Sequence, residues 1–447
     1  MFNDAGLGSR DNDPSVLTLK GRLLKDLART ADDAATRVRL FQESASAYIA
    51  AARVAPSSYP LINAATMSLF AGNEAQARSL AGEVETMIAN GLDCGETPYW
   101  HEATRAEALL LIGQRDDART ALEAAIGHAP QAWEDLATTL RQFRMIDEFR
   151  NDDPHWLKPY APPVSLSYSG LIAISESDQG AAEKIADAIE RIQPGFAYGA
   201  IAAGADILIA EACLARGCEL HVILPADIET FRSLSVAPYG ENWALRFDDL
   251  LAEATSIHVL APHQHLSKAA IALAADVSAG SALHNAQRLE SVAKSMQVVA
   301  PNHVPVKESA ETVLVSVVRS ETAKAGVDLA DMEVRYWLAV DHGDGTVPVV
   351  ENLTDIDQAM ARAAEYSQFS VALDIGIVEI GGDDEDRRAR VARVAQAGTA
   401  GTVVAGHDAA MRWIHSQPAS RVEPLGEMPS NDGAISLYSI HYPGQST

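Results

Sequence analysis

Between Gly195 and Pro225 the chain reads GFAYGAIAAGADILIAEACLARGCELHVILP, and few folds accommodate that order of residues. A short apolar strand enters a turn made almost wholly of glycine and alanine. A helix follows, expected over 205–216 with Gly217 at the cap beyond it, and then a second apolar strand, LHVIL at 220–224, which ends at Pro225. Two strands joined by such a helix lie parallel in one sheet. The first turn of the helix would aim free N–H groups at the small-residue turn, a place suited to an anion such as phosphate. The candidate binding residues are Tyr198, Gly199, Ala203, Gly204, Ala205 and Asp206, with Ser175 from the preceding loop. The pattern is neither GxGxxG nor a Walker A loop. The same glycines would equally serve a tight strand-to-helix turn with close packing and no ligand. Asp206, in the first helical turn, is favoured by the helix dipole but would repel a phosphate placed opposite it. A sugar hydroxyl or a base edge suits it better.

The neighbouring sequence repeats the alternation. GLIAIS (170–175) is expected as a strand, GAAEKIADAIERI (180–192) as a helix, WALRFDDLLAEA (243–254) as a helix and SIHVLA (256–261) as a strand, with 266–293 mostly helical. Strands spaced by helices imply a doubly wound parallel sheet over 164–300, with ligands beyond the carboxyl ends of the strands. Before it, residues 1–150 form a domain rich in alanine and leucine at helical spacing, in blocks at 34–55, 59–71, 73–90, 98–112, 115–128 and 130–143. Two blocks echo each other, AATMSLFAGNEAQARSLA (64–81) and AEALLLIGQRDDARTALE (106–123), as helical repeats do. The stretch 149–163, with its prolines and charges, reads as a linker.

A third region, 305–447, mixes strands at 312–318, 370–380, 401–406 and 434–440 with helices at 354–367 and 384–396. YWLAVDHGDGTVPVV (336–350) reads as a hairpin turning at its DHGDG centre. The fold class expected for the whole is therefore α, then α/β, then α+β.

With 61 acidic against 35 basic residues, the net charge is −26, and the acidity runs along the whole chain. No basic stripe is present for a nucleic-acid backbone or an anionic membrane, and both are excluded as partners. The first fifteen residues hold no apolar run, and Cys94, Cys213 and Cys218 show no C-x-x-C spacing. A reducing cytoplasm is the expected compartment, and Cys213 is expected as a small core residue. His258, His263 and His265 cluster after a strand and read as a polar loop, since no carboxylate can be placed beside them from sequence. GGDDEDRR (381–388) reads as an exposed turn leading into a helix.

Three resemblances lie on these residues. YPLINAATMSLFAGN and YWHEATRAEALLLIG, within 59–127, resemble the TRAFs-binding tetratricopeptide region. YGAIAAGADILIAEACLARG and the later FRSLSVAPYGENWALRFDDLL resemble SLOG-type Rossmann modules, which implies a nucleotide-derived ligand. Glu211 does not fit the GGxGTxxE of the LOG phosphoribohydrolases in that superfamily. VALDIGIV, ARVARVAQAGTAGTVVAG and EPLGEMPSNDGAISLYSI resemble the end of a class III nucleotide cyclase domain. There Ala389 stands where the signature asparagine belongs, with Arg393 at the arginine position. TVLVSVVRS, taken as the first strand, lacks the first metal carboxylate, and Asp344 alone cannot hold a metal pair. The resemblance thus implies a catalytically inactive module, a relative of domains that pair as dimers.

These readings converge on a signalling or sensor protein. It would bind a nucleotide-related small molecule at the 198–206 turn, a protein partner through its helical repeats and, through the cyclase-like region, a second copy of itself. The alternative is a nucleoside or nucleotide N-glycosidase with Glu176, Asp178, Asp206 or Glu229 as the essential carboxylate. No metal site or catalytic residue is assigned from sequence.

Overall fold

The computed structural model describes residues 12–92, 97–175, 178–260, 265–301, 311–318, 329–430 and 433–441. Two compact units divide the chain, one ending at Pro162 and the other running from Pro163.

The first unit is helical: α1 (Pro14–Thr30), α2 (Ala34–Val54), α3 (Ser58–Phe70), α4 (Glu74–Ala89), α5 (Pro98–Ile112), α6 (Arg115–His128) and α7 (Trp133–Arg150). Side chains placed just outside the helices fix several of the starts. Asp13, Asp33, Asn73 and Thr97 each accept a hydrogen bond from a first-turn N–H, which satisfies an otherwise orphaned donor. The echoed blocks become two turns with the same hydrogen-bond pattern. Gly72 and Gly113 both adopt positive φ, Asn73 N–H returns to the Ser68 carbonyl at 2.8 Å, and Gln114 N–H returns to the Leu109 carbonyl at 2.9 Å. One turn later Ala77 and Ala118 are both fully buried, so each pair of helices approaches through an alanine. The distance from Gly72 to Gly113 is longer than the ~34 residues of a standard tetratricopeptide repeat, so these helix pairs repeat at a wider period.

The expected linker at 149–163 is packed instead. A 3₁₀ helix spans Pro154–Tyr160, buries Leu157 and stacks Trp156 on Phe143 with ring centroids 6.2 Å apart. Trp156 Nε1 donates to Asp147 Oδ2 at 2.7 Å, so an aromatic anchor overrides the polar composition.

Among the described residues, the second unit holds two six-stranded sheets. The first has the order β4-β3-β2-β1-β5-β6, every neighbouring pair parallel: β1 (Val164–Gly170), β2 (Pro194–Gly199), β3 (Glu219–Leu224), β4 (Ser256–Val259), β5 (Ala293–Val299) and β6 (Glu311–Ser316). Its crossovers include α8 (Gln179–Ile192), α9 (Ala205–Leu214), α10 (Ile228–Ser235), α11 (Glu241–Glu253) and α12 (Lys268–Leu289). Leu166, Ala197, Leu220, Val222 and Met296 fill its centre with no exposed surface. Apolar faces on both sides of the sheet require this two-sided helical cover.

Two expected strands move. The strand expected at 170–175 lies earlier, as VSLSYSG, with Leu166 and Tyr168 buried; residues 171–175 instead fold back as a loop in which Ala173 takes a φ of 68°. TVLVSVV does not open a third region: its β6 pairs with β5 at the edge of the parallel sheet. AKSMQVV, unassigned from sequence, supplies the partner strand.

The second sheet is mixed, in the order β11-β12-β10-β9-β7-β8. It comprises β7 (Met332–Asp341), β8 (Val349–Leu353), β9 (Ser370–Glu379), β10 (Val403–Gly406), β11 (Arg421–Ser430) and β12 (Gly433–His441), with α13 (Ile356–Glu365), α14 (Glu385–Ala397) and α15 (His407–Ser416). β7 and β8 form the expected antiparallel hairpin, and β9 and β10 run parallel. Within this unit α12 crosses α15 so closely that a Cβ on Gly280 would lie 2.0 Å from the Met411 carbonyl oxygen. Arg412 Nε pairs with Asp276 at 3.0 Å beside that crossing. The two sheets are thereby held together through their helices.

Candidate functional site

In the parallel sheet the chain passes from β1 to β2 on one side and returns to β5 on the other. The strand order therefore reverses at β1, and the crevice beyond the carboxyl ends of β1 and β5 is where such sheets bind ligands. The loop after β1 (171–175) and the turn after β2 (200–204) meet at this edge.

They meet by bonding to each other. Gly204 adopts φ 115° and ψ −124°, and a Cβ there would lie 2.7 Å from the Leu171 carbonyl oxygen. That same carbonyl accepts the Ala205 N–H at 3.0 Å, while Ala173 N–H donates to the Ala203 carbonyl at 3.2 Å. At the start of α9, then, the N–H of Ala205 is taken by the chain's own loop rather than free as expected. Leu171 places an oxygen dipole where an anion was anticipated, and the small residues make room for it.

The remaining candidates divide by burial. Ala203 and Ala205 have no exposed surface, Gly199 packs on the Tyr168 ring, and Ser175 is exposed. Tyr198 is buried and stacks on His221, ring centroids 4.6 Å apart and planes 8° from parallel. Burial pushes the Tyr198 phenol up and holds His221 down to about 4. Asp206 turns inward, 8% exposed, and its Oδ2 accepts the Ala202 N–H at 3.3 Å. Its Oδ1 is buried with no hydrogen bond of good geometry, the Gly170 N–H being the donor near the carboxyl besides Ala202, and the Tyr168 hydroxyl is buried without a partner. Burial raises the Asp206 carboxyl to about 7, against the opposing pull of the Ala202 and Gly170 N–H groups. Tyr168 is raised too, first by burial and then by the neighbouring Asp206 charge. Behind the turn lies a polar pair with unmet hydrogen-bonding capacity.

The other acidic candidates are engaged elsewhere or open to solvent. Asp178 caps α8 through the Ala181 N–H at 3.0 Å, Glu229 is exposed on α10, and Glu176 lies outside the described residues. Glu211 is held by Arg246 through Nε at 2.6 Å, and Arg246 in turn lies over the Trp243 ring. Cys213 is buried as expected, whereas Cys94 and His263 lie outside the described residues. His265 is exposed. His258 is bonded through Nε2 to Asp408 Oδ1 at 2.6 Å, a carboxylate from α15 that no local pattern linked to it.

In the mixed sheet, Ala389 and Arg393 are exposed on α14. Asp344 closes its own turn by accepting from Thr346 N–H at 2.9 Å and Oγ1 at 2.6 Å. Asp374 on β9 accepts Arg390 Nε at 2.7 Å, with Arg387 at 3.5 Å. Asp383, within the GGDDEDRR turn, accepts from Trp337 Nε1 at 2.7 Å and Asn352 Nδ2 at 2.9 Å, and against desolvation the bonds from Trp337 and Arg388 hold it at about 2. That turn is therefore tied to β7 and β8 by side-chain bonds.

The helical unit contains a groove of about 410 Å³ that sequence reasoning missed. Lys25, Tyr59, Trp100, Glu107, Thr138 and Gln142 contribute to its lining. Glu107 accepts from Thr66 Oγ1 at 2.5 Å and Gln142 Nε2 at 3.1 Å, and burial raises its carboxyl while lowering Lys25. The available signal was a glutamate inside the apolar run AEALLLIG.

This helical unit is also where the chain meets a known family. Residues 6–159 match the MAP3K TRAFs-binding domain. No curated protein sequence matches the chain. Five chains of solved structures match, among them a mutant of the Thermobaculum terrenum O-GlcNAc transferase at 12% identity and a TM-score of 0.21, covering 67% of this chain and 57% of that one. The chain thus spans less than two thirds of that structure. Among the described residues no helix is long and apolar enough to cross a membrane.

Proposed function

We propose that this is a partner-binding signalling protein whose parallel-sheet region, a SLOG-like Rossmann module, reads a nucleotide-related small molecule. The observation that carries the ligand half is Asp206: a buried carboxyl with one oxygen unmatched, behind the switch point of a parallel sheet. Burying a polar atom without a partner costs roughly 1–3 kcal/mol, a cost that a ligand hydroxyl or base-edge N–H would remove. The Leu171 carbonyl supplies the coupling. A ligand acceptor placed at the start of α9 displaces it from the Ala205 N–H, so occupancy shifts the 171–175 loop. Only a ligand that binds the shifted loop better can move that equilibrium.

The partner half rests on the family match over 6–159 and on the groove that contains Glu107. The mixed sheet is assigned as an inactive cyclase-like module that pairs with a second copy. Ala389 offers no ribose ligand, and Asp374 and Asp383 are occupied by arginines. The N-glycosidase alternative has one supporting observation, since a carboxyl at about 7 suits a general acid.

Thermal-shift titration of the full chain with nucleotides, cyclic nucleotides and nucleotide sugars tests the reading. A saturable stabilisation lost in Asp206→Ala supports sensing. Release of free base, abolished by the same substitution, moves the assignment to the hydrolase.

A further inference from the structure

We propose that His258, His407 and Asp408 form a binding site for a divalent transition-metal ion of the zinc class. His258 stands at the end of β4 in the parallel sheet, whereas His407 and Asp408 open α15 of the mixed sheet, about 150 residues later. One atom from each of the three side chains can be chosen so that all lie within 4.8 Å of one another. Asp408 Oδ1 lies 2.6 Å from His258 Nε2 and 3.0 Å from His407 Nδ1. Ligands of a tetrahedral zinc, bound at about 2.0–2.2 Å, stand roughly 3.4 Å apart, so the three donors, now at hydrogen-bond spacing, would separate slightly and turn to admit one ion.

Two imidazoles and one carboxylate are a ligand set for zinc or ferrous iron, and three protein ligands leave a position for water or a substrate oxygen. The side chains are 37%, 29% and 17% exposed for His258, His407 and Asp408, so an ion has a route in. The surroundings hold the geometry. Gly280 lets α12 pack tightly on α15, Arg412 pairs with Asp276, and the Tyr438 ring meets His407 with centroids 5.9 Å apart. These contacts fix α15, whose first turn carries two of the three donors. Bound metal would fasten the two sheets of this unit across their seam. The proposal is independent of any ligand near Asp206.

The test uses the full chain, stripped with a chelator and titrated with Co²⁺ in the visible range. One Co²⁺ per chain is expected, with the d–d bands of a four- or five-coordinate ion that Zn²⁺ displaces. His258→Ala and Asp408→Asn are each expected to remove the bands and weaken binding at least tenfold. If Asp408→Asn does not fold by circular dichroism, His407→Ala takes its place. Absence of saturable binding by the wild type overturns the proposal, as does binding undiminished in His258→Ala and His407→Ala.

Discussion

Gly204 faces the Leu171 carbonyl so closely that any β-carbon on it would lie 2.7 Å from that oxygen. At φ 115° and ψ −124° its backbone is also one that other residues avoid. Gly204→Ala should therefore cost at least about 2 kcal/mol of stability, from strain and the forced retreat of the 171–175 loop. Urea denaturation checks this, and an unchanged midpoint would contradict the packing described.

Asp206 should make the protein more stable in mild acid than the rest of its charges would. Its carboxyl is raised to about 7 from an ordinary value of 3.8, so the folded state holds a proton that the unfolded state has released. This contribution is fully present below about 4, declines as pH rises towards 7 and is gone above it. Asp206→Asn keeps an acceptor for the Ala202 N–H and has no charge to bury. It should exceed wild type by up to about 4 kcal/mol at pH 8 and converge with it near pH 4. Denaturation curves at pH 4, 6 and 8 measure the difference. A variant less stable than wild type at pH 8 would show that the carboxylate has partners beyond those described.

His221 acts in the opposite sense. Burial holds it down to about 4 from 6.5, so its contribution is full above pH 6.5 and is lost as pH falls towards 4. His221→Phe keeps the stack on Tyr198 and removes the titrating group. Its stability should fall less than that of wild type between pH 6.5 and 4, read as the difference in melting temperature across that window. Parallel curves would refute the assignment.

Ala118, fully buried where α6 packs against the rest of its unit, has no room for a longer side chain. Ala118→Leu should destabilise by about 1–3 kcal/mol, and Ala77→Leu by a similar amount at the matching position. Calorimetry on each variant tests whether the two echoed turns are equivalent in packing as well as in backbone geometry.

What could be read from sequence followed the range of the interactions. The helices α2 to α6 were legible because Gly72, Gly113 and the caps act within a few residues. In the parallel sheet, α8, α9 and β3 were likewise visible from periodicity. β1 was misplaced because GLIAIS is more apolar than VSLSYSG, yet only tertiary packing decides which segment enters the sheet. β6 was assigned to the wrong sheet because a strand's own residues do not name its partner. Around the candidate site, the sequence marked the 198–206 turn but could not show that Leu171 fills it or that Asp206 points inward. α15 was missed because HDAAMRWIHS is short and mixed in polarity, and with it went the link between His258 and Asp408.

The central claim is that the Asp206 turn binds a nucleotide-related molecule, and calorimetric titration of the full wild-type chain beside Asp206→Ala tests it most directly. Adenosine and guanosine nucleotides, their cyclic forms and nucleotide sugars are the ligands to use. The account predicts saturable binding of at least one of them at one per chain, weakened at least tenfold in a folded Asp206→Ala variant. Binding by none of them, or equal binding by both proteins, would contradict it.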